Sequence, residues 1–404
     1  MSHVSVVGAG LAGLAAAKLV VERGHEVSVY EASNGVGGRV RTDEVDGYLL
    51  DRGFQILLTA YPVAQRVFDY DALDLRRFHA GSFVQLDSGR VKVGDPLRRT
   101  ADLLDTVRAP VGSMADKVRL LDWRRKVATG LIDELWSKPE CTTNSRFGDL
   151  KFSDDFVEQF LRPLFAGIAL DPTLDVSSRF TDFVFRMLGE GYGAVPSKGM
   201  GQLGTQIAEQ LPDGALHLST PVEVVASDSV TVGGAVMPAD AVIVATDMTA
   251  AARLLDTPDL GWNSVTTYWF SADEAPFEEP LLLLNGTGEG PVNNVAVMSN
   301  VSRSYAPVDK HLIAVSHPSL DLGEDAVRQQ LRGWFGGAVS SWEVVRRDEI
   351  AHAQPRYLPG EALPASTDLD SGLFVAGDHR QNPSINGALQ SGRAAARSAL
   401  KHLN

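Results

Sequence analysis

The sequence VSVVGAGLAG, residues 4–13, joins an apolar run to a glycine-rich turn near the start of the chain. Residues 4–7 have the length and composition of a buried strand, and residues 11–23 have the apolar spacing of a helix. Gly24 follows at a position where glycine commonly ends a helix. The stretch therefore predicts a strand, a tight turn and a helix in succession.

The glycines of this turn have separate roles. Gly8 makes the tight turn, Gly10 lets a ligand approach the backbone, and Gly13 lets the helix pack closely on the strand. The helix begins at Leu11 and Ala12, and its unpaired N–H groups and positive dipole end attract phosphate groups. Because the pattern matches a dinucleotide fingerprint, we expect these five residues to form a pyrophosphate site.

A carboxylate completes the pattern. Residues 25–30 predict a second strand, and Glu31 and Ala32 follow at its end. A carboxylate at this point accepts hydrogen bonds from a ribose hydroxyl and disfavours a ribose 2′-phosphate, so NADP is not the expected ligand. An exposed carboxylate without a role is the alternative. The fingerprint alone leaves both FAD and NAD open.

Composition limits the class of protein. The chain has 404 residues, more than one hydrophobic core usually serves, so about two domains are expected. A formal net charge of −14 repels nucleic-acid phosphates, and no nucleic-acid partner is expected. Cys141, the single cysteine, allows no internal disulfide and favours a reducing compartment. No histidine or carboxylate cluster has metal-ligand spacing, so no metal is expected.

The apolar residues 4–21 do not have the pattern of an export signal, because no basic segment precedes them and Lys18 interrupts them. No other stretch approaches the roughly 20 apolar residues that span a bilayer. We therefore expect a cytoplasmic protein. Residues 97–126 are richer in Arg and Lys than the rest of the chain, which favours peripheral contact with a membrane; a solvated helix face is the alternative.

Further patterns divide the chain. Apolar runs at 241–246 and 372–377 predict buried parallel strands, and Gly233-Gly234 predicts the turn of a hairpin. The fold class is therefore α/β, with a Rossmann-like, doubly wound parallel sheet that binds the cofactor and an inserted α+β substrate domain of mixed sheet plus helices. The cofactor domain is expected to comprise residues 1–70, 198–255 and 345–404, and the substrate domain residues 71–197 and 256–344.

Residues 35–42, GVGGRVRT, follow Glu31 almost at once. Here the chain resembles the flavin amine oxidase superfamily, and in particular its phytoene desaturase-like and protoporphyrinogen oxidase-like branch. Members carry a Gly-Gly-Arg segment just after the ribose carboxylate. The resemblance implies FAD as the cofactor, and it implies that Gly37, Gly38 and Arg39 contact its pyrophosphate and the edge of the flavin. A solvated loop is the alternative.

Two more segments resemble parts of that cofactor site. Residues 48–55 resemble the strand that passes under the flavin, which implies contacts from Gly53, Phe54 and Gln55. Residues 220–224 resemble the strand whose backbone pairs with the adenine edge, which implies a main-chain contact at Val224. An ordinary strand is the alternative for this second segment.

The C-terminal part carries the second strong signal, Gly377-Asp378 followed by the sequence PSINGALQSG at residues 383–392. In the superfamily the Gly-Asp element lies at the pyrophosphate and ribityl chain. The following helix points its N-terminus at the flavin N1–C2=O edge, where a reduced flavin carries negative charge. The resemblance implies cofactor contacts from Ser384, Ile385, Asn386 and Ala388.

Signals for catalysis are fewer. Residues 354–360 resemble a segment of protoporphyrinogen oxidases, which implies that Tyr357 lies near the reactive face of the flavin; packing at a domain junction is the alternative. Amine oxidases of the superfamily place a lysine near flavin N5, and a rough alignment puts Thr267 there, which argues against a typical amine oxidase. His379 contacts a phosphate, tethers the flavin or bonds the backbone. Cys141 is distant from the cofactor segments, so FAD is expected to bind non-covalently.

Three functions are compatible with these signals. The leading hypothesis is an FAD-dependent desaturase or dehydrogenase that takes a hydride from a carbon of a mostly apolar small molecule, such as an isoprenoid or polycyclic compound. The second is an amine or protoporphyrinogen oxidase that oxygen reoxidises. The third belongs to another class, a flavoprotein whose FAD is structural or redox-neutral. The substrate, the electron acceptor and the oligomeric state stay open.

Overall fold

The computed structural model describes residues 1–95, 98, 103–320 and 322–404. They form an α/β fold with a parallel sheet, a larger mixed sheet and helices, as the sequence predicts. The strands are β1 (His3–Val7), β2 (Glu26–Tyr30), β3 (Thr42–Val45), β4 (Tyr48–Asp51), β5 (Leu57–Leu58), β6 (Leu75–Arg77), β7 (Gly81–Leu86), β8 (Gly89–Gly94), β9 (Gly193–Pro196), β10 (Leu216–His217), β11 (Val222–Val225), β12 (Ser229–Val232), β13 (Ala235–Pro238), β14 (Ala241–Val244), β15 (Trp262–Ala272), β16 (Leu282–Asn285), β17 (Asn294–Val297), β18 (His311–His317), β19 (Glu343–Pro355) and β20 (Leu373–Val375). The helices are α1 (Leu11–Glu22), α2 (Ala64–Val67), α3 (Leu103–Arg108), α4 (Met114–Ala128), α5 (Ile132–Leu135), α6 (Thr143–Asp149), α7 (Asp154–Phe156), α8 (Arg162–Ala169), α9 (Ser178–Glu190), α10 (Gln202–Ala208), α11 (Met248–Leu255), α12 (Met298–Val301), α13 (Glu324–Phe335) and α14 (Ile385–His402).

The parallel sheet has the strand order β10-β2-β1-β14-β20, and all neighbouring pairs are parallel. The strands predicted at 4–7, 241–246 and 372–377 are therefore confirmed as neighbours, although they lie far apart in the chain. Their apolar side chains are buried on both faces of the sheet. Because the carboxyl ends of parallel strands meet at one edge, the segments that follow β1, β2 and β14 open on the same side.

Helices α1 and α14 pack on one face of this sheet, and two glycines set how closely they approach. A Cβ atom at Gly13 would collide with the carbonyl oxygen of Gly8, and a Cβ atom at Gly392 would collide with that of Ala12. The first contact joins α1 to the turn after β1, as the fingerprint predicts, and the second joins α14 to α1. Both ends of the chain are thereby packed into one layer.

A small antiparallel sheet, β11-β12-β13, covers the opposite face. Val222 and Val230 are its buried residues, and they pack against valines of the parallel sheet such as Val244. The predicted hairpin is confirmed: Gly233 and Gly234, with φ of 55° and 77°, join β12 to β13. Positive φ at both positions is typical of a two-residue type I′ turn.

The mixed sheet has the order β19-β15-β18-β17-β16-β7-β8, in which only the β16–β7 pair is parallel. One face packs on α13 and the other lies toward α8. The predicted domain boundary at residue 345 falls inside β19, which pairs with β15 along its length. Backbone pairing places this strand in the mixed sheet. The predicted division into domains stays a prediction.

Helices α3 through α8 follow one another between Leu103 and Ala169. The apolar residues 4–21 comprise β1, a turn and most of α1 rather than one long helix. Over the ranges that the structure describes, no helix has the length and apolar character required to cross a bilayer. Of the predicted membrane-contact segment 97–126, residues 97 and 99–102 lie outside the described part.

Candidate cofactor and substrate site

A cavity of about 1230 Å³ lies between the carboxyl edge of the parallel sheet and the mixed sheet. Sites for drug-sized ligands have volumes of roughly 300–1,000 Å³, so this cavity has room for more than one such molecule. The predicted site residues in its lining are Gly8, Gly10, Leu11, Ala12, Glu31, Ala32, Gly37, Gly38, Arg39, Gly53, Phe54, Gln55, Gly377, Asp378, Ser384, Ile385 and Ala388. The fold thus brings together segments from both ends of the chain.

Two predicted cofactor residues serve the packing around the cavity instead of lining it. Gly13 lies against Gly8, where a side chain would collide with the turn. Asn386 is buried in the first turn of α14, and its Oδ1 accepts a hydrogen bond from the Val63 backbone at 2.9 Å. Both residues therefore affect the shape of the cavity through packing, without lining it.

The structure places two other predicted residues away from the cavity. Val224 is 58% exposed, because the alternation of β11 turns its side chain outward; the lining contains Pro221 and Val222 instead. Tyr357 is 1% exposed and lies beside Trp136, and its carbonyl oxygen accepts a hydrogen bond from the Ser177 backbone. Burial raises the pKa of Tyr357 to about 12. Tyr357 thus packs beside Trp136, and the contacts predicted for Tyr357 and for the main chain of Val224 stay predictions.

The glycine-rich end of the cavity has the features of a phosphate site. Gly10 has no atom within 4 Å of the position that a Cβ would occupy, so this space is open to a ligand. Gly38 has φ of 60°, and a Cβ there would lie 3.2 Å from the Gly10 Cα. Helices α1 and α14 both begin at the cavity, and neither has an acidic residue in its first turn. The positive ends of both helices therefore face this cavity.

Glu31 is held in a fixed orientation beside this space. Its Oε2 accepts a hydrogen bond from the Ala9 backbone at 2.7 Å, and its Oε1 accepts one from Ser33 at 2.8 Å. The remaining lone pairs of the carboxylate lie at the cavity wall, where a ribose hydroxyl can donate to them. The lining at this end also includes Thr246, Asp247 and residues of α11, which the sequence analysis did not identify.

Arg39 and Asp378 connect the two ends of the chain across the cavity wall. The Arg39 Nη2 donates to the Asp378 Oδ1 at 2.6 Å, and its Nη1 donates to the Ala353 carbonyl at 3.1 Å. The guanidinium also lies 5.3 Å above the centre of the Trp262 ring. His379, beside this pair, lies outside the lining, and burial lowers its pKa to about 4. The imidazole is therefore neutral at pH 7.

A group of charged residues on the cavity floor was missed at the sequence level. Arg346 and Asp348 line the cavity from β19, and their side chains form an ion pair of 2.8 Å. The Asp348 Oδ2 accepts hydrogen bonds from the Gly53 backbone at 3.2 Å and from the Trp269 Nε1 at 2.8 Å. The alternation of β19, with charges two residues apart, was the available signal. Asp348 thus fixes the segment at Gly53.

The other end of the cavity is mainly apolar, although the charged side chains of Asp95, Arg98 and Arg124 line the cavity beside Gly189 and Tyr192. Its side chains come from α8, α9 and the strands beside them, and they include Phe54, Phe78, Phe160, Phe180, Phe185, Leu164, Ile168, Leu188 and Tyr192. Thr267, at the position aligned with the lysine of amine oxidases, is buried; its Oγ1 lies 3.2 Å from the Ser316 Oγ. Within the lining that the structure describes there is no lysine. The apolar side chains at this end favour contact with the apolar part of a ligand.

Comparison with known proteins agrees with this geometry. A model of the flavin containing amine oxidoreductase family matches residues 11–400. The 4,4'-diaponeurosporene oxygenase of Staphylococcus aureus is 40% identical over 68 residues, which cover 17% of this chain and 14% of that protein. Protoporphyrinogen oxidase 2 of Arabidopsis thaliana is 29% identical over 190 residues, 45% of this chain and 35% of that protein. These matches therefore span about a third of the curated relatives or less.

Solved structures share the fold along the whole chain. An oxidoreductase from Methanosarcina mazei superposes with a TM-score of 0.74 at 18% identity, covering 99% of this chain and 100% of that one. A double mutant of putrescine oxidase superposes with a TM-score of 0.74 at 17% identity, covering 99% of both chains. At these identities the likeness concerns the fold. The family match over residues 11–400 decides the assignment: the chain belongs to the flavin containing amine oxidoreductase family and is, as a member, a flavin-dependent oxidoreductase.

Proposed function

We propose that this protein binds FAD non-covalently and takes a hydride from a carbon atom of a mostly apolar molecule, such as an isoprenoid or polycyclic compound. One observation carries the proposal: the same cavity has a phosphate-binding end where α1 begins and an apolar end at α8 and α9. Such a cavity accommodates a long dinucleotide and a hydrophobic substrate side by side.

The residues at the polar end fit FAD. Gly10 and Gly38 leave room for a pyrophosphate, and the Glu31 carboxylate accepts from a ribose hydroxyl. Arg39 and Asp378 would hold the middle of the molecule, and the N-terminus of α14 favours negative charge at its far end. Cys141 lies outside the cavity lining, which supports non-covalent binding.

When bound, FAD supplies the acceptor for the hydride. The residues of this chain supply position and a dry environment. Phe54, Phe160 and Phe185 exclude water from the apolar end, which strengthens electrostatic interactions there. Asp348 holds the Gly53 backbone and thereby the floor of the cavity. A strong base on the protein is unnecessary where loss of a hydride acidifies the proton that must leave.

A protoporphyrinogen oxidase that oxygen reoxidises is the second candidate. The match to the Arabidopsis protoporphyrinogen oxidase over 190 residues favours it. Formation of hydrogen peroxide on adding substrate in air distinguishes this candidate from a desaturase or dehydrogenase that transfers electrons to another acceptor. The absence of a lysine from the described lining makes an amine oxidase the weaker reading.

We further propose that residues 97–126 contact a membrane surface. Leu104 and Val107 of α3, with Met114, Val118 and Leu121 of α4, are exposed. Residues 103–128 carry six basic and three acidic side chains, in a chain whose net charge is −14. Leu121 also lines the cavity, so the exposed apolar face adjoins the route by which a hydrophobic substrate can enter. A cytoplasmic location remains a proposal supported by the single cysteine.

An anaerobic screen tests the central proposal. The purified yellow protein is mixed with isoprenoid, porphyrin and amine pools, and the visible absorbance of the flavin is followed. We expect bleaching by an isoprenoid or polycyclic compound and none by amines. A protein that is purified without flavin, and that binds no added FAD, contradicts the cofactor assignment. A yellow protein that only amines bleach contradicts the substrate assignment.

A further inference from the structure

One row of polar side chains crosses the mixed sheet on the face toward the cavity. Asp348 of β19 pairs with Thr267 of β15, Thr267 pairs with Ser316 of β18, and Ser316 pairs with Asn294 of β17. The next partner, Leu284 of β16, is apolar. Paired residues point to the same face, and Asp348 and Asn294 both line the cavity. The residues at both ends of this row, Asp348 and Asn294, therefore line the cavity.

The polar groups at the first end of the row are satisfied within the protein. Asp348 accepts from Gly53 and Trp269, and the Thr267 Oγ1 lies within hydrogen-bond distance of Ser316 and of the Phe54 backbone. Asn294 differs from them. It is 3% exposed, and its Nδ2 is buried without a hydrogen-bond partner among the residues that the structure describes.

The orientation of the Asn294 amide follows from its neighbour. The carbonyl oxygen of Pro163 can only accept, so the atom of Asn293 that lies 3.0 Å from it is the donor Nδ2. The same Nδ2 lies 3.0 Å from the Asn294 amide, and the atom facing it must be the acceptor Oδ1. The Asn294 Nδ2 therefore points away from Asn293.

Gly167 of α8 makes this arrangement possible. A Cβ at Gly167 would lie 2.9 Å from the Asn293 Nδ2 and 3.2 Å from the Asn294 Oδ1, so a side chain there would disturb both amides. Gly167, Asn294 and the apolar Leu282 border the same part of the cavity. A buried donor without an acceptor destabilises a folded protein and calls for an explanation.

We propose that the Asn294 amide donates a hydrogen bond to an oxygen atom of the substrate, and so determines specificity. The substrate class is then a mostly apolar molecule that carries an oxygen acceptor, such as a carbonyl, ether or hydroxyl. Asn294 stands two strands from Thr267, about 9–10 Å, and Thr267 contacts the Phe54 segment. The oxygen would therefore lie beside β17, two strands away from the strand that contacts the Phe54 segment. This inference rests on the proposed function, since it assumes that the apolar end holds the substrate.

The test compares two probes of the same shape, 2-acetylnaphthalene and 2-isopropenylnaphthalene, in which a carbonyl oxygen replaces a CH₂ group. Dissociation constants are measured on the purified holoprotein from the perturbation of the flavin spectrum or the fluorescence of the probe. The result is the ratio of the two dissociation constants and its change between protein variants. The hydration of the free probes is the same for every variant and therefore cancels in that change. Variants Asn294→Leu and Asn294→Asp change the donor, and Leu282→Ala is the control at the same wall.

We expect Asn294→Leu to reduce the preference for the carbonyl probe about five-fold, the size of one net hydrogen bond. Asn294→Asp, measured at a pH at which the carboxyl is ionised and presents only acceptors, should reduce it further, and Leu282→Ala should weaken both probes equally. An unchanged ratio in Asn294→Leu, with flavin content and unfolding midpoint retained, means that the amide serves a bound water and overturns this inference alone. If Asn294→Leu fails to fold, Asn294→Ala is measured in its place. Failure of the wild-type protein to bind either probe overturns the proposed apolar site, and the inference with it.

Discussion

Arg39 and Asp378 are 339 positions apart in the chain, yet the Arg39 Nη2 donates to the Asp378 Oδ1 at 2.6 Å. The Asp378 side chain is 7% exposed and that of Arg39 35% exposed, so the carboxylate depends on this partner. The pair ties the Gly-Gly-Arg loop to the segment before α14. Its removal therefore affects both the folded state and the cofactor site.

We predict that Arg39→Ala lowers the free energy of unfolding by about 1–3 kcal/mol, because it leaves a buried carboxylate without its charged donor. The flavin content of the purified protein should fall as well. Urea unfolding and the ratio of flavin to protein absorbance measure the two effects. Arg76→Ala is the control, since Arg76 and Asp74 form an ion pair that is half exposed on both sides; it should change the free energy by less than about 1 kcal/mol. If Arg39→Ala and Arg76→Ala changed the free energy of unfolding and the flavin content equally, the role assigned to the Arg39–Asp378 pair would be refuted.

Gly10→Val tests the pyrophosphate cradle without damage to the fold. The space beside Gly10 is open, and its φ of −71° is compatible with a side chain. We expect a folded, colourless protein, because the valine side chain occupies the space meant for the cofactor. Near-native circular dichroism with flavin content below about a tenth of wild type is the expected pair of results.

Two other glycines serve as controls for that experiment. Gly333→Val, in α13, also places its Cβ in open space and should leave the flavin content unchanged. Gly13→Ala should lower stability instead, since its Cβ collides with the Gly8 carbonyl. A Gly10→Val protein that is yellow and fully loaded would show that the cofactor lies elsewhere.

The buried Asp51 should make stability depend on pH with an unusual sign. Burial raises its pKa to about 6, although Thr42, Met200 and Tyr305 donate hydrogen bonds to it. Because the pKa of the folded state is raised, the folded protein binds this proton more tightly than the unfolded chain. The stabilising contribution is complete below about pH 4 and is lost as the pH rises through about 6.

Asp51→Asn removes this titration. The difference in unfolding free energy, variant minus wild type, should increase by about 2–3 kcal/mol between pH 4 and pH 7. Asp116→Asn provides a control of opposite sign, because hydrogen bonds from Ser113 and Ser153 hold the pKa of Asp116 well below its usual range. Its stabilising contribution is present above about pH 4 and lost below it. Parallel pH profiles for wild type and Asp51→Asn would contradict the predicted titration.

Val118→Asp tests the proposed membrane contact. Val118 is 62% exposed on α4, so the substitution should leave the fold intact while it removes an apolar contact and adds a repelled charge. We expect binding to vesicles that contain anionic phosphatidylserine to weaken at least about ten-fold. The matched control is Val236→Asp, since Val236 is 66% exposed on β13. Wild-type protein that does not sediment with such vesicles would rule the contact out.

Some of the site could be predicted because its signals are local. The turn at Gly8 and Gly10, the carboxylate of Glu31 and the Gly377-Asp378 element each lie within one short segment, and all of them line the cavity. Their chemistry depends on backbone conformation and helix ends, which short sequences specify.

Other features depend on which strands pair and in which register. Asp348 and Asn294 reach the cavity only because β19, β15, β18 and β17 align in one row, and residues far apart in the chain determine that alignment. Tyr357 illustrates the opposite case. Its segment resembles one in relatives, but here the side chain packs beside Trp136, away from the cavity. A resemblance to relatives identifies the segment, but the packing of the folded chain determines the position of its side chain.

The contact between α14 and α1, made close by Gly392 and Ala12, has a consequence for synthesis. While the polypeptide is being translated, the N-terminal turn emerges first, but the wall formed by Asp378 and the start of α14 is still inside the ribosome. A nascent chain therefore has only the N-terminal side of the cofactor site. Capture of the cofactor must therefore wait until α14 has been made, because the N-terminal segments provide only one side of the site.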